Sequence, residues 1–270
     1  MLDFREIAAR EERRQALRTA EVAQEAEAIA GGSMAFAGVG SWANQAAGLG
    51  LDRPVSDADL DRLVSFYVAR GVEPRIEVCS YADPSLVEGL AARGFALRLF
   101  EHVFVRDLAQ PVPATEHLPP DGLEIRAVDP DDEAQVRTFV DASTIGFRPP
   151  GEPVSDITWT VTRRMVRQAG CTCFLALLDG EPAGGGAVDV VGDIAALMGT
   201  SVDPRFRRRG IQQALMRRRL AHARAQGAKV AVIGALPGIP TERNARRTGF
   251  ALAYAKAILA MRGEGLAPSP

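Results

Sequence analysis

An arginine-rich turn in the second half of the chain is the part of the sequence best suited to chemistry. It lies in the run Val202-Asp-Pro-Arg-Phe-Arg-Arg-Arg-Gly-Ile-Gln-Gln-Ala-Leu215, between an apolar stretch and an amphipathic one. A strand that feeds a helix in this way leaves the first N–H groups of the helix without intrahelical partners, and the helix dipole adds positive potential. The arginines from Arg205 to Arg209 raise that potential, and Gly210 lets a ligand approach the backbone closely. The sequence therefore predicts a pyrophosphate site.

The spacing within this turn resembles one known phosphate loop and excludes two others. The chain has no G-x-x-x-x-G-K-[ST] motif, and no G-x-G-x-x-G follows a strand. The run Arg207-x-x-Gly210-x-Gln212 resembles the acyl-CoA pyrophosphate loop of the GNAT acetyltransferase superfamily, Gln/Arg-x-x-Gly-x-Gly/Ala. It departs from that pattern at Gln212, where the family usually has a small residue. The alternative is a surface arginine cluster that caps an ordinary helix.

The composition is typical of a soluble globular protein, and the net charge does not indicate a highly charged binding partner. The 270 residues are 47% hydrophobic and 24% charged, which suits one large domain or two of ordinary size. A net charge of −2 argues against a nucleic-acid partner despite the local arginines. The charged N-terminus lacks a signal-peptide core, and no apolar run is long enough for a membrane span. We expect a cytoplasmic protein that does not bind membranes; a homodimer is left open.

Cysteine and histidine spacing does not indicate a metal site. The three cysteines form no C-x-x-C pattern, and the histidines show no ligand spacing. Metal ligation by the cysteines is the less favoured alternative to core thiols, and no metal is expected. These residues are Cys79, Cys171, Cys173, His102, His117 and His222.

A short internal repeat divides the chain into two halves. Gly94-Phe-Ala-Leu97 recurs as Gly249-Phe-Ala-Leu252, and each copy follows an apolar stretch and a helical one. Between the copies, a proline-rich segment without a hydrophobic period is typical of a linker. The predicted division is a first domain over 1–110, a linker over 111–121 and a second domain over 122–264.

The second half has the element order of a GNAT domain. From Leu123 to Arg262 the pattern predicts β-α-α-β-β-β-α-β-α-β, with an Asp179-Gly180 hairpin turn and the arginine turn between a strand and a helix. The run Arg243 to Phe250 is similar to the family's closing helix and Gly-Phe turn. The resemblance implies an α/β (α+β) GNAT fold, a mixed central sheet flanked by helices, preceded by a second, degenerate GNAT-like half.

The first half carries acidic residues where a pyrophosphate turn would stand. Ser56 followed by Asp59 predicts a helix N-cap, with Asp57 and Asp61 close by. Carboxylates at this position satisfy the N–H groups and repel a diphosphate. We therefore expect this half to hold no acyl-CoA.

The resemblance implies direct transfer of an acetyl group from acetyl-CoA, as co-substrate, to an amine. The edge of Met198–Val202 would pair with the pantetheine amides, and the backbone N–H of Val202 would polarise the thioester carbonyl. For Asn244, a simple helix hydrogen bond is the alternative to a cofactor contact. The cofactor-binding residues it implies are Thr200, Ser201, Val202, Arg207, Arg208, Arg209, Gly210, Ile211, Gln212, Gln213 and Asn244.

The acid and the base are less clear from the sequence. Many relatives have a tyrosine where this chain has Ala245. Tyr254 is a candidate acid, with a core tyrosine as the alternative. Glu152 and Asp189 are candidate bases that could equally be surface carboxylates.

Two classes of function follow. The favoured one is an N-acetyltransferase acting on a primary amine of a small molecule or peptide. The other is a catalytically silent acyl-CoA-binding sensor or interaction module, which the missing tyrosine and base favour.

Overall fold

A computed structural model describes residues 2–114 and 118–268 of the chain. His117 and the 115–117 part of the predicted linker lie outside the described residues. The chain divides into two compact units, Met1–Val103 with Ala253–Pro270 (unit 1) and Phe104–Leu252 (unit 2). The elements in chain order are α1 (Phe4–Val22), β1 (Glu25–Ile29), β2 (Gly32–Phe36), β3 (Gln45–Ala47), α2 (Asp57–Val68), β4 (Arg75–Cys79), α3 (Pro84–Ala92), β5 (Ala96–Asp107), β6 (Leu123–Ala127), α4 (Glu133–Thr144), α5 (Asp156–Val166), β7 (Cys171–Leu178), β8 (Glu181–Val191), β9 (Ile194–Val202), a 3-10 turn (Pro204–Phe206), α6 (Ile211–Ala225), β10 (Val230–Ala235), α7 (Pro240–Arg247) and β11 (Ala251–Ala260).

Unit 1 is a mixed sheet whose inner strands are covered by helices. Strands β1, β2 and β3 form an antiparallel meander, β3 runs parallel to β4, and β11 pairs antiparallel with β4. Helix α2 buries Leu60, Leu63 and Tyr67, which lie on one face because they recur at helical spacing. They pack with Ile76 of β4 in one apolar core.

Unit 2 contains the strand and helix on either side of the arginine turn. Strands β6 to β9 are antiparallel neighbours, whereas β10 runs parallel to β9. A parallel neighbour requires a crossover, which α6 supplies between β9 and β10. Asp179 and Gly180 both have positive φ, 52° and 83°, as a tight β7–β8 hairpin turn demands. The core packs Leu215 and Leu220 of α6 against the strands.

The units divide the chain differently from the predicted domains. Residues from Ala253 onward belong to unit 1, where Lys256–Ala260 pair with Cys79–Arg75 of β4. Hydrophobic pattern identified β11 as a strand, but a pattern in one strand does not specify which strand it pairs with. The C-terminal strand therefore completes the sheet that the first half of the chain begins.

The described part of the proline-rich segment packs on unit 2. Pro113 accepts a hydrogen bond from Arg217 Nη2 through its carbonyl at 2.7 Å, and Gln110 accepts one from Arg106 Nη2 at 2.8 Å. Val112 packs against the apolar core. Proline content predicted a linker but could not show these contacts.

Neither a membrane span nor a metal cluster is found within 2–114 and 118–268. No helix there has the length and apolar character to cross a bilayer. No group of three or more His, Cys, Asp or Glu side chains there could hold a metal ion. Cys79 and Cys173 are buried and Cys171 is half-buried, and none of the three is disulfide-bonded.

Candidate functional site

The arginine turn has an unusual backbone at two positions, Arg208 and Gly210. Asp203 caps the 3-10 turn by accepting a hydrogen bond from Arg205 N at 2.8 Å. The chain then passes through Arg208 at φ 63° and Gly210 at φ 81°, and α6 begins at Ile211. Positive φ is disfavoured at a non-glycine residue, so Arg208 stores strain of the kind found at ligand sites.

The arginines of the turn fall into two groups. Arg205 donates from Nε and Nη2 to Asp203 Oδ2 at 3.1 and 2.9 Å, so its charge is already matched. Burial raises the pKa of Asp203, but the hydrogen bonds and charge of Arg205 outweigh it and lower the pKa below its usual range. Arg207, Arg208 and Arg209 are exposed and form no ion pair with a described carboxylate. These three are therefore available to an anion.

The first turn of α6 lacks a side-chain cap. Gly210 is the N-cap residue, and among the described residues no side chain bonds the first N–H groups in its place. A Cβ built on Gly210 would meet only the Leu118 carbonyl oxygen, at an ordinary 3.6 Å. Helix N–H donors, a helix dipole and guanidinium groups without a described carboxylate partner are the groups that a diphosphate site would need.

Strand β9 separates from β10 just before this turn. The two strands pair from Ile194 to Leu197, and no pairing with β10 is seen for the described residues Met198–Val202. Asp203 donates its N–H to Ala183 of β8 at 2.9 Å. Because N–H groups alternate sides along a strand, that of Val202 points away from β8, toward the open edge. Arg207 Nε reaches the Val202 carbonyl at 3.3 Å on the same side.

Ser201 and Thr200 occupy different surroundings along this edge. Ser201 is buried, and its Oγ accepts a hydrogen bond from Gly146 N at 2.8 Å. Thr200 is half-buried, and its Oγ1 lies 3.4 Å from the Met198 carbonyl. Only their backbone groups can serve as a strand edge for a bound amide.

Side chains of the predicted cofactor set tie α6 to α7. Asn244 Nδ2 donates to Gln212 Oε1 at 2.6 Å, and Gln213 Nε2 donates to Asn244 Oδ1 at 3.1 Å. Gln212 also donates to Thr241 Oγ1 at 2.9 Å, which accounts for a long side chain at this position. Ile211 is 1% exposed in the core. For these four residues, the structure shows helix packing, and their cofactor contacts stay a prediction.

The candidate acid lies in unit 1. Tyr254 is 5% exposed, and its hydroxyl donates to Glu12 Oε1 at 2.7 Å. Burial and the charge of Glu12 raise the pKa of Tyr254 well above its ordinary value. These contacts are those of a tyrosine held in a core.

The two candidate bases differ in exposure. Glu152 is exposed, in a turn closed by its N–H to the Pro149 carbonyl at 3.2 Å. Asp189 lies on β8 and is fully buried, so the surface interpretation of Asp189 is wrong. The surface prediction failed because Asp189 faces inward on a strand that is buried on both sides.

The corresponding turn in unit 1 is closed to anions. Ser56 Oγ accepts from Asp59 N, and Asp59 Oδ2 accepts from Ser56 N, both at 3.2 Å. Arg93 Nη2 pairs with Asp57 and Asp61 at 3.0 and 2.7 Å. A capping box thus satisfies the N–H groups of Ser56 and Asp59, at the N-cap that the sequence predicted.

Sequence reasoning missed the glycine run in β8. A Cβ on Gly184 would lie 2.5 Å from the Ser201 carbonyl oxygen, and one on Gly186 would lie 2.9 Å from Thr200 Oγ1. Glycine is required because β9 approaches too closely for any side chain. Three consecutive glycines within an apolar strand were the signal that could have revealed this.

Comparison with known proteins gives one family and a set of similar folds. Residues 137–251 match the acetyltransferase (GNAT) family. A GCN5-related N-acetyltransferase from Kribbella flavida is similar at a TM-score of 0.66 and 19% identity, over 97% of this chain and 98% of its own. One from Sphaerobacter thermophilus is similar at 0.55 and 17%, over 73% of this chain and 64% of its own.

A tandem arrangement also occurs among the similar structures. A tandem GNAT protein from the clavulanic acid biosynthesis pathway has a TM-score of 0.52 and 17% identity, over 72% of this chain and 65% of its own. No protein of curated function matches the sequence. At these identities, the likeness shows the fold, which confirms the predicted mixed α/β GNAT architecture.

Proposed function

We propose that the chain transfers an acetyl group from acetyl-CoA to a primary amine, as the match of residues 137–251 to the acetyltransferase (GNAT) family suggests. The acceptor would be a small molecule or a peptide. One observation carries the proposal: the uncapped first turn of α6 with Gly210 at φ 81°, at the end of a strand that has separated from its neighbour.

The residues of this turn fit acetyl-CoA as co-substrate. Arg207, Arg208 and Arg209 supply positive charge without a matching carboxylate among the described residues, and the α6 N–H groups supply donors. The unpaired edge Met198–Val202 presents backbone groups that can pair with amides as an added strand would. Acetyl-CoA contributes a thioester whose acyl group is activated for transfer to nitrogen.

Val202 has the orientation that oxyanion stabilisation requires. Its N–H points to the open edge, since the next residue, Asp203, donates to β8. A fixed N–H donor aimed at developing negative charge is worth about 3 to 4 kcal/mol in other acyl-transfer enzymes. We propose this role for Val202.

Proton transfer does not require a tyrosine in this protein. Ala245 is buried at 0% exposure where many relatives have the acid, and Tyr254 is bonded to Glu12. We propose that Tyr254 is structural. Exposed Glu152, acting through water, is the proposed base for the incoming ammonium.

The test is release of CoA thiol from acetyl-CoA in the presence of a panel of amines, with binding measured in parallel. The panel should span polyamines, aminoglycosides, amino acids and peptides with free N-termini. We expect amine-dependent thiol release well above the rate without protein. Tight binding without turnover on any amine would instead support the alternative, an acyl-CoA sensor, which the absence of a tyrosine at 245 favours.

A further inference from the structure

Strand β9 is interrupted by a β-bulge within its free edge, Met198–Val202. One residue of β8, Gly186, lies opposite two of β9, Gly199 and Thr200, because the register shifts between Gly185 and Ala187. Gly199 has φ 56°, the left-handed value of the first residue in a glycine bulge. A bulge bends its strand and re-aims the residues that follow. Here, those residues form the edge assigned to the thioester.

A buried arginine of α6 reaches into this interruption. Arg219 Nη1 donates to the carbonyls of Ala187 and Met198, at 3.1 and 3.4 Å. Ala187 and Met198 face each other across the two strands at the bulge. Arg219 Nε donates to the Leu215 carbonyl within its own helix at 3.1 Å. One guanidinium therefore joins α6 to both strands where the ladder is broken.

The surroundings of Arg219 are costly for a charged group. The side chain is 0% exposed, and burial lowers the pKa of its guanidinium to about 9. No described carboxylate pairs with it, and its Nη2 has no hydrogen-bond partner among the described residues. Taking an ion out of water is costly, and an apolar side chain of similar volume would avoid that cost. Arg219 therefore needs an explanation other than fold stability.

The glycine of the bulge makes room for this group. A Cβ on Gly186 would lie 3.0 Å from Arg219 Cζ and 2.9 Å from Thr200 Oγ1. The Arg219 guanidinium and Thr200 thus fill the space that a side chain at position 186 would need, so this position requires glycine.

We propose that Arg219 is a positioning residue that fixes the β9 bulge, and through it the direction of the Thr200–Val202 edge that binds acetyl-CoA. The inference rests on the proposed function for the identity of the ligand. The effect of Arg219 on the backbone does not depend on the proposed function. A flexible edge would have to be ordered each time a ligand binds, which weakens affinity.

The test compares Arg219→Met, Arg219→Lys and the control Arg218→Met in the full chain. Arg218 is the neighbouring exposed arginine, and its guanidinium lies over the Phe174 ring at 4.7 Å. Amide hydrogen exchange is measured without ligand, together with urea unfolding and calorimetric acetyl-CoA affinity. If Arg219→Met does not fold, Arg219→Lys carries the test, since a single amine cannot reproduce the fork.

We expect Arg219→Met to speed exchange at least tenfold at residues 185–187 and 198–201, without lowering the urea midpoint. Acetyl-CoA affinity should fall at least tenfold, with partial recovery in Arg219→Lys. Unchanged exchange at the bulge, a uniform rise across unit 2, or the same effect in Arg218→Met would overturn the proposal. If the wild-type protein does not bind acetyl-CoA, the proposed function fails, while the exchange comparison still decides the role of Arg219.

Discussion

Replacing Gly210 with glutamate would put a carboxylate at the N-cap of α6, where we propose an anion site. Two separate effects follow from the local geometry. Gly210 has φ 81°, so a residue with a side chain would have to adopt a left-handed backbone conformation there. This costs about 1 to 2 kcal/mol in stability. The carboxylate would also occupy the space in front of the helix N–H groups and repel a diphosphate.

The two effects differ in size and in the property they change. Among the described residues a Cβ at position 210 meets the Leu118 carbonyl oxygen alone, at 3.6 Å, so steric conflict there adds little to the backbone strain. Two like charges about 4 Å apart near a protein surface interact by about 4 kcal/mol before screening by salt. Even a third of that value lowers affinity by about tenfold. We expect Gly210→Glu to weaken acetyl-CoA binding by at least tenfold.

Gly227 provides a matched control at the other end of the same helix. It has φ 85°, and a Cβ there would meet nothing within 4 Å. Gly227→Glu therefore brings the same charge and nearly the same strain, but away from the loop. Both variants should unfold at lower urea concentration than the wild type, and only Gly210→Glu should lose affinity by calorimetry. Equal affinities for Gly210→Glu and Gly227→Glu would refute the phosphate-loop interpretation.

Two further predictions concern unit 1. Tyr254→Phe removes the hydrogen bond to buried Glu12, so urea denaturation should show a loss of about 1 to 2 kcal/mol; turnover should stay within a few fold, and a hundredfold fall would make Tyr254 the missing acid. Burial raises the pKa of Glu101 from its ordinary 4.5 to about 7, against the opposing charge of Lys256. The pKa of Glu101 is higher in the folded state than in the unfolded state. Protonated Glu101 therefore adds to the free energy of unfolding, and this contribution is complete below pH 4.5 and is lost as the pH rises toward 7. The urea midpoint should therefore fall across that range, and Glu101→Gln should flatten the dependence; an unchanged slope would contradict it.

The arginine turn could be predicted from the sequence because the residues that determine it are close together in the chain. A strand, a glycine with positive φ and a helix start within a dozen residues specify where N–H groups point. The Ser56 cap was readable for the same reason, since it joins residues three apart. The structure shows both features in the predicted places.

Features that depend on distant residues were not readable. One strand partner of β11 is β4, about 180 residues earlier in the chain, and no pattern within β11 specifies it. Arg219 looked like one more polar residue of an arginine-rich helix, yet it lies fully buried against the bulge. Asn244 was assigned by position in a motif, and only the fold shows that Gln212 and Gln213 already engage its amide.

A calorimetric titration of the full-length protein with acetyl-CoA tests the central claim most directly. The α6 turn is uncapped and flanked by Arg207 to Arg209, whereas the α2 turn is closed by Ser56 and Asp59. The account therefore predicts saturable binding at one site per chain, weakened as salt screens the arginines. Absence of binding, or two equivalent sites per chain, would contradict it.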